Sequence, residues 1–492
     1  MPDEEGLRPR TFRAIAWGSL GSVTSQIVSF GAVLVVTRLL NPIDFGTMAI
    51  ATAIAGLATT IADTGVAQAL TQRDEITESE VNTAFWWQLT VGLLTGGVVF
   101  ATAGLTADIF HRSGLRVLMV ALACAIPVQA VGLIPRSLLV RKLQMNRTAV
   151  IDVISAVGSA AAGITAAILH RGVQALLLQA LIAVVVTSIG GFLAAGWRPR
   201  ASARWADLKG FSAFTGPLYG YKFVNYLVRN GDNILVGRFL GPFQLGLYSR
   251  AYTLLLFPSS QITSVVGGPM QVSLSRMAAD KARSRRVYLE TCRHIAFLAM
   301  PTMLFIAVLA DDFVRTLMGP HWIKAIPAIR TLAIVGIVEP LATTCGWLYF
   351  AQSRTDLSFR LSMVGGPVYL AAIYLGVQGG SAFSVALSYL LVNILMIPVL
   401  LAYAGGLIGV RLRDYAREAQ PALTNALLSG VFVYLSRQGM VALGLSSYWR
   451  LPLAAGIGAL IYLGLGSIRR LPEMETVASA LRVLRTRARG AR

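Results

Sequence analysis

About fourteen long apolar windows follow one another along the 492 residues of this chain. A membrane-spanning helix needs about 20 such residues, and a lipid-exposed backbone must satisfy its own hydrogen bonds. The windows lack the alternation of barrel strands, so each is predicted to be a helix. They lie near residues 14–37, 44–62, 84–104, 115–139, 149–169, 173–195, 212–239, 245–271, 288–309, 325–350, 361–379, 382–405, 420–436 and 447–468. The sequence therefore predicts an all-α, polytopic membrane protein.

The charged fraction argues against a soluble multidomain enzyme. Only 13% of the residues are charged, whereas ordinary globular domains carry roughly 25%. Connections between the windows average about 13 residues, too few for a water-exposed domain. The cysteines and histidines are isolated, without metal-ligand spacing, and no HExxH, GxSxG or P-loop occurs. We therefore expect no metal, no cofactor and no enzymatic activity.

The distribution of basic residues predicts the topology. The chain has 43 Lys and Arg against 23 Asp and Glu, a net charge of +20. With the N-terminus inside, cytoplasmic segments hold about 29 of the basic residues and the opposite side about 9, which follows the positive-inside rule. Both termini are therefore expected in the cytoplasm. The net charge is interpreted as a topology signal and a contact with the cytoplasmic leaflet, not as nucleic-acid binding.

An internal repeat predicts two lobes. The segment VLVVTRLLNPIDFGTMAIAT aligns without gaps, at an offset of 200, on NILVGRFLGPFQLGLYSRAY, and the matches include Arg38 on Arg238, Pro42 on Pro242 and Gly46 on Gly246. Six spans separate the copies, so both run in the same direction, as in parallel repeats about an axis along the membrane normal. We predict a six-helix N-lobe at 1–211, a six-helix C-lobe at 212–405, two extra helices at 406–468 and a basic amphipathic tail at 469–492.

The seventh window carries a basic and aromatic stripe. A basic side chain at mid-bilayer costs about 2.5–3.5 kcal/mol, so Lys222 and Arg229 are expected to face protein or water. Guanidinium and ammonium groups in excess inside a bundle suit a pyrophosphate, and Tyr219, Tyr221 and Tyr226 offer hydroxyls and stacking faces for a sugar. The predicted substrate-binding residues are Lys222, Tyr226, Arg229, Asp232, Asn233, Arg250 and Arg330.

A structural interpretation of the same charges stays open. Arg229 and Asp232 are three residues apart and can form an ion pair within a helix, while Arg250 and Arg330 can extend to a membrane interface. Asp232 and Glu339 are also candidate ion-coupling carboxylates, although structural pairing is the commoner role of such acids.

Two further segments have plain interpretations. The pair Asp311–Asp312 falls in a predicted outer loop and is expected to be solvated. The tail is predicted to be an amphipathic helix lying on anionic phospholipid, with arginines around one apolar face. That face comprises Leu471, Met474, Val477, Leu481 and Leu484.

Several blocks of the sequence resemble the polysaccharide transporter family, the Wzx-type branch of the MOP flippase superfamily. The most specific block is NYLVRNGDNILVGRFLGPFQLGLYSRAYTLL at 225–255, and TRLLNPIDFGTMAIATAI at 37–54 and MGPHWIKAIPAIRTLAIVGIVEPL at 318–341 continue it. The resemblance covers nearly the whole chain. The sequence resembles the flippases of exopolysaccharide operons more than lipid II flippases or drug-exporting MATE proteins.

The resemblance implies a MATE-like fold and a flippase of the bacterial inner membrane. Its substrate would be an oligosaccharide repeat unit linked to undecaprenyl pyrophosphate, carried to the periplasmic leaflet for exopolysaccharide or lipopolysaccharide synthesis. Polysaccharide polymerase and export components would be further partners. The expected mechanism is alternating access through a cationic cavity, by rocking of two lobes.

Two other functional classes remain open from the sequence. A small-molecule or drug antiporter fits a helical bundle, although acidic residues should dominate its cavity. A multispan polysaccharide polymerase or acyltransferase would need a large periplasmic loop or a His/Asp motif, and the predicted loops are short.

Overall fold

The structure is a computed structural model that describes residues 4–73, 75–200 and 202–475. Within these ranges, side chains are not described at 4–17, 19, 20, 72, 205–224, 257, 259, 260, 262, 264 and 265. All regular elements in the described ranges are helical. The chain divides into two compact units, Met1–Ser249 and Arg250–Arg492.

Among its described residues, the first unit contains seven complete helices and the first part of an eighth. They are α1 (Glu4–Leu39), α2 (Pro42–Ala62), α3 (Val66–Gln72), α4 (Glu78–Ile109), α5 (Ser113–Arg141), α6 (Met145–Ile168), α7 (Val173–Ala195) and α8 (Trp205–Arg276). Helix α8 includes both the seventh and eighth apolar windows, and its backbone leaves helical geometry at Gly241, where φ is 76°. The break lies between the two predicted windows.

The second unit continues with long helices and, between residues 310 and 351, with several short or irregular elements. They are α9 (Lys281–Val308), α10 (Ala310–Phe313), a π-helical turn at Val314–Met318, a 3-10 turn at Pro320–Ala325, α11 (Ile326–Val335), α12 (Glu339–Thr343), α13 (Cys345–Ala351), α14 (Thr355–Gln378), α15 (Ala382–Gly406), α16 (Leu412–Ala442) and α17 (Ser447–Ile468). The tenth window is therefore not one straight helix.

Local sequence explains where the helices begin. Asn41 and Asp44 form a capping box ahead of α2, and Pro42 occupies the first turn, where its missing N–H costs nothing. Thr77 and Glu80 form the same box ahead of α4: the Glu80 N–H donates to Thr77 Oγ1 at 3.2 Å, and the Thr77 N–H donates to Glu80 Oε2 at 2.8 Å. Both helices thus begin on polar residues that precede an apolar run.

The prediction of an all-α, polytopic membrane protein is confirmed. Within the described ranges, ten helices are long and apolar enough to cross a membrane. The segments Pro320–Val335 and Glu339–Ala351, bent by 53° relative to each other, make an eleventh span if counted as one. The bend precedes Pro340, which lacks a backbone N–H to continue the helix. The predicted count of fourteen spans stays a prediction, as do the lobe boundaries.

The two copies of the repeat meet inside the first unit. A Cβ atom at Gly46 would lie 1.8 Å from the carbonyl oxygen of Pro242, and one at Gly246 would lie 1.8 Å from that of Pro42. Each glycine therefore contacts the proline that the repeat assigns to the other copy. The reciprocity gives the contact a local pseudo-two-fold character, and only glycine permits the approach.

The expectation of a solvated Asp311–Asp312 loop is wrong. Asp312 is fully buried, and its carboxylate pairs with Arg437 and, at 2.8 Å, with Arg450. We refer to the group formed by Asp311, Asp312, Arg315, Arg330, Arg437 and Arg450 as the Asp312 cluster. It joins α10 and α11 to the end of α16 and the start of α17, because the flanking arginines give the buried carboxylate an ionic partner on each side.

The beginning of the predicted tail packs on protein instead of lipid. Leu471 and Met474 contact the apolar core of the second unit, and Glu473 is buried, 2.7 Å from the Arg293 guanidinium of α9. An apolar face that is already covered by protein does not lie on a bilayer, so for these two residues the expectation is wrong. Val477, Leu481 and Leu484 lie outside the described residues.

Candidate functional site

A polar cavity of about 360 Å³ lies within the first unit. It is enclosed by the end of α2, the middle of α5 and the part of α8 that follows residue 224, with Gln88 contributed by α4. The lining consists of Thr59, Thr60, Ala62, Asp63, Gln88, Ile126, Gln129, Ala130, Leu133, Asn225, Tyr226, Arg229 and Asn230. Nine of these thirteen residues are polar, which is unusual inside an apolar bundle and makes the cavity the candidate site for a polar ligand.

The end of α2 forms a fixed wall of this cavity. Gln88 donates from Nε2 to the Ala62 carbonyl at 2.5 Å and accepts from the Thr64 hydroxyl at 2.6 Å. Asp63 Oδ1 accepts from the N–H of Gly65, which turns the chain at φ 69°. Thr59 and Thr60 donate their hydroxyls to the Gly56 carbonyl. These polar groups already form hydrogen bonds within the protein. They therefore shape the wall of the cavity and leave few hydrogen-bond donors for a ligand.

Tyr226 joins α8 to α2. Its hydroxyl donates to the Ala53 carbonyl at 2.9 Å. A Cβ atom at Gly56 would lie 2.1 Å from this hydroxyl, so the glycine leaves the space into which the tyrosine fits. The aromatic ring lines the cavity, but the hydroxyl is directed to the backbone of α2. Tyr226 therefore positions Arg229, one turn further along the same helix.

Arg229 is the exposed basic residue of the lining. No carboxylate of the described side chains forms an ion pair with it. In particular the sequence-allowed pair with Asp232 is absent, because Asp232 is buried and accepts from the Tyr248 hydroxyl at 3.1 Å and from the Asn233 N–H at 2.7 Å. Asp63 also lines the cavity, so the described lining carries one positive and one negative charge. The guanidinium is left available to a ligand.

Three amide side chains beside Arg229 were missed by the sequence analysis. Asn225 lies one turn before Arg229, and Gln129 faces the same cavity from α5. Neither has a hydrogen-bond partner within the described part of the chain. Asn230 donates to the Tyr226 carbonyl at 3.1 Å and keeps its amide oxygen. A lone glutamine inside an apolar window is the signal that could have identified Gln129, since polar residues within membrane spans mark ligand pathways.

The remaining predicted site residues lie elsewhere or outside the description. The side chain of Lys222 lies outside the described residues. Asp232 and Asn233 are in the first unit but do not line this cavity. Arg250, Arg330 and Glu339 belong to the second unit. There Arg330 donates to Asp311 at 2.8 Å within the Asp312 cluster, and Glu339 begins α12 at the bend of the tenth span.

The arrangement can bind an anion and sugar hydroxyls together. The planar guanidinium of Arg229 suits two oxygens of a phosphate, and the free amides of Asn225 and Gln129 both donate and accept. It provides no metal centre: no group of three or more His, Cys, Asp or Glu side chains that could hold a metal ion occurs in the described part of the chain. Its chemistry is that of recognition by hydrogen bonds and charge.

Comparison with known sequences gives related proteins of polysaccharide synthesis. The family described as "Polysaccharide biosynthesis protein" matches residues 35–327. The lipopolysaccharide biosynthesis protein WzxC of Escherichia coli (strain K12) is 25% identical over 397 residues, 79% of this chain and 80% of that protein. The succinoglycan biosynthesis transport protein ExoT of Rhizobium meliloti (strain 1021) is 24% identical, over 77% of each chain.

Comparison with solved structures identifies the fold. The lipid II flippase MurJ, in an inward closed conformation, superposes with a TM-score of 0.73 over 92% of this chain and 98% of its own, at 14% identity. An inward-facing multidrug transporter of the MATE family and MOP superfamily superposes with a TM-score of 0.59 over 78% of this chain and 96% of its own, also at 14% identity. The predicted MOP fold is confirmed.

Proposed function

The chain belongs to the polysaccharide biosynthesis protein family, and from this premise we propose that it is a flippase for a lipid-linked oligosaccharide precursor. WzxC and ExoT are named for steps of polysaccharide synthesis, ExoT as a transport protein, and MurJ is named a flippase. The predicted cargo is an oligosaccharide repeat unit on undecaprenyl pyrophosphate. The predicted location is the bacterial inner membrane with both termini in the cytoplasm.

The observation that carries the proposal is the unpaired Arg229 in a polar cavity. In a protein of the MOP fold, a cavity within the bundle gives the headgroup a path that avoids hydrocarbon. Without such a path a pyrophosphate would have to cross the bilayer as an unpaired anion, at a cost of many kcal/mol. Arg229 would neutralise part of that charge, and Lys222, two turns earlier on α8, is expected to add to it.

The amides are proposed to hold the sugar. Asn225 and Gln129 present donors and acceptors to the same space as Arg229, and sugar hydroxyls require both. Their contacts would not depend on one particular glycan, because a single amide bonds hydroxyls in many orientations. The polyprenyl chain would remain in lipid during transport.

The predicted topology gives the cavity a direction. Counted from a cytoplasmic N-terminus, the end of α2 lies at the cytoplasmic side, and Asp63 and Gln88 at that end line the cavity. We propose that the cavity takes its cargo from the cytoplasm and is then opened to the periplasm by alternating access. Asp232 and Glu339 stay the candidate ion-coupling carboxylates.

Transport by the variant Arg229→Gln tests the proposal. Proteoliposomes would contain the lipid-linked oligosaccharide extracted from a strain that lacks this gene, and an added glycosidase that cannot cross the bilayer would report the sugar that reaches its side. We expect the rate to fall by about 10- to 100-fold, because a hydrogen bond to a charged group contributes about 1.5–3 kcal/mol. The control is Arg116→Gln, which removes the same charge from an exposed position of α5 outside the cavity.

The same assay can reject the proposal. If the wild-type protein leaves the oligosaccharide inaccessible to the glycosidase, the protein does not move this cargo. If the wild type moves it and Arg229→Gln moves it at the same rate, the flippase assignment stands and Arg229 is not part of its site. Intact polymer with changed dye resistance in the deletion strain would favour a drug antiporter.

A further inference from the structure

A second, largely apolar groove of about 880 Å³ lies within the second unit, and the proposed flippase site does not use it. It runs between α11, α15 and α16, and side chains such as Val338, Ile394, Ile397 and Leu401 form its wall. Ile394 is 59% exposed, so the groove is open along its side. An apolar concavity that opens sideways on a membrane protein is accessible to lipid chains.

One end of the groove carries two arginines. Arg413 and Arg417 are one turn apart at the start of α16, both line the groove and both are exposed. In the described ranges neither has a carboxylate within ion-pair distance. A spacing of four residues places both guanidinium groups on one face of the helix, where they can bind the same anion.

The acidic residues that follow these arginines directly on α16 are already paired with arginines of α9. Asp414 lies 3.0 Å from Arg285, and Glu418 lies 3.6 Å from Arg293. A hydrogen bond from the Arg411 N–H, together with the charge of Arg285, lowers the pKa of Asp414 and keeps it ionised against α9. The first turns of α16 therefore have a neutralised face toward α9 and a positive face toward the groove.

The length of the groove matches one leaflet of a bilayer. Its lining on α16 extends from Leu412 to Leu423, twelve residues whose first and last Cα atoms are about 16 Å apart along the helix, and half of a hydrocarbon core is about 15 Å. The predicted topology places the loop before α16 on the cytoplasmic side. The arginines would thus lie at the level of the phosphates in the cytoplasmic leaflet, which is rich in anionic lipid.

We propose that this groove binds one anionic diacyl phospholipid of the cytoplasmic leaflet, with Arg413 and Arg417 on its phosphate and its acyl chains along α15. Two unneutralised guanidinium groups favour a headgroup of net negative charge, such as phosphatidylglycerol, over the zwitterionic phosphatidylethanolamine. The bound lipid would complete the surface between α11, α15 and α16 that protein leaves open.

Retention of lipid by the purified full-length protein tests the headgroup contact. Native mass spectrometry would measure binding of added phosphatidylglycerol and phosphatidylethanolamine to the wild type and to Arg413→Gln/Arg417→Gln. We expect the wild type to prefer phosphatidylglycerol, and the double variant to bind it about 30-fold more weakly, from the loss of two basic contacts at an anionic headgroup. The control Arg283→Gln/Arg286→Gln removes two exposed cytoplasmic arginines away from the groove and should bind as the wild type does.

A tryptophan in the groove tests the acyl-chain contact separately. Ile394→Trp would fill the chain path and is expected to reduce phosphatidylglycerol retention, whereas Leu395→Trp on the neighbouring lipid-facing position should not. Both positions are exposed, so a general effect of tryptophan on folding would appear in the two variants alike. Equal retention by all these variants, or equal binding of the two phospholipids, would overturn the proposal.

A competition experiment distinguishes a bound phospholipid from the proposed cargo, since both carry phosphate in the headgroup. Undecaprenyl pyrophosphate added to the phosphatidylglycerol-bound protein should leave the bound phospholipid in place. Displacement at equal concentration, lost in Arg413→Gln/Arg417→Gln, would assign the groove to the cargo and overturn the phospholipid proposal. None of these measurements uses transport, so their outcome is independent of the flippase assignment.

Discussion

Arginines have different surroundings in the polar cavity of the first unit and in the Asp312 cluster of the second. In the cavity, Arg229 is exposed and forms no ion pair with any described carboxylate, although Asp63 lines the same space. In the Asp312 cluster, a fully buried carboxylate lies between Arg437 and Arg450. Both regions hold guanidinium groups in a protein of which only 13% of the residues are charged.

The difference between the two regions lies in what neutralises the charge. A guanidinium held by a buried carboxylate has its charge compensated by the protein, so it fixes helices to one another. A guanidinium beside an open polar space keeps its donors for a ligand. We therefore expect substitutions in the Asp312 cluster to change stability, and substitutions at Arg229 to change transport with little change in stability.

The largest expected effect is that of Asp312→Asn. This change removes the negative charge between Arg437 and Arg450 while keeping the size of the side chain. Breaking a buried pair by removing one partner costs about 3–5 kcal/mol, because the opposing charge is left uncompensated. Denaturant unfolding of the purified protein in detergent measures the loss. Asp311→Asn, at the more exposed acid, should cost clearly less, and equal losses would show that burial of Asp312 is not the cause.

A smaller loss of stability is expected for Gly56→Ala at the wall of the cavity. The added Cβ would lie 2.1 Å from the Tyr226 hydroxyl, so α2 and α8 must separate or Tyr226 must lose its bond to Ala53. Such overpacking costs about 1–3 kcal/mol. The control is Gly97→Ala, where nothing lies within 4 Å and helix propensity improves. Equal stability of the two variants would show that the Tyr226 contact is dispensable.

A still smaller loss of stability is expected for Arg330→Gln. Arg330 lies 2.8 Å from Asp311, but both side chains are partly exposed, and ion pairs of this kind contribute about 0–1 kcal/mol. We expect transport to be retained, because Arg330 is engaged within the Asp312 cluster. The transport assay tests this expectation. A loss of transport rate as large as that of Arg229→Gln would show that Arg330 is part of the substrate-binding site.

The smallest effect on stability is expected for Arg229→Gln. An exposed residue without a protein partner usually changes stability by no more than about 0.5 kcal/mol when replaced. The same unfolding experiment measures it beside Asp312→Asn. Destabilisation of more than about 2 kcal/mol would show that Arg229 is a structural residue, and the contrast between the two regions would then disappear.

The sequence could not distinguish Arg229 from Arg330. Both are basic residues inside apolar windows, and both were predicted to bind substrate. Arg330 pairs with the carboxylate of Asp311, nineteen positions earlier. The sequence predicts such pairs only for residues three or four positions apart on one helix, because these lie on the same helix face. Conversely, Asp232 lies at the right spacing for Arg229, yet it bonds to Tyr248, sixteen positions later.

The repeat shows a similar limit. The alignment of its two copies at an offset of 200 can be recognised in the sequence from Pro42, Gly46 and their counterparts Pro242 and Gly246. The sequence does not show that these four residues also contact one another, because an internal repeat indicates the common ancestry of two segments and not the distance between them. In the folded protein, the carbonyl oxygen of each proline lies against the glycine of the other copy.

From the sequence alone, this protein is a helical membrane protein of the polysaccharide biosynthesis family, and α8 is predicted to contribute to the substrate site. These properties depend on the length and polarity of continuous segments, which the linear chain records directly. Packing of the helices determines which charges are neutralised, which amides face the cavity and which end of the groove is positive. Those properties depend on side chains of different helices, and the partner of a charge separates a ligand site from a structural pair.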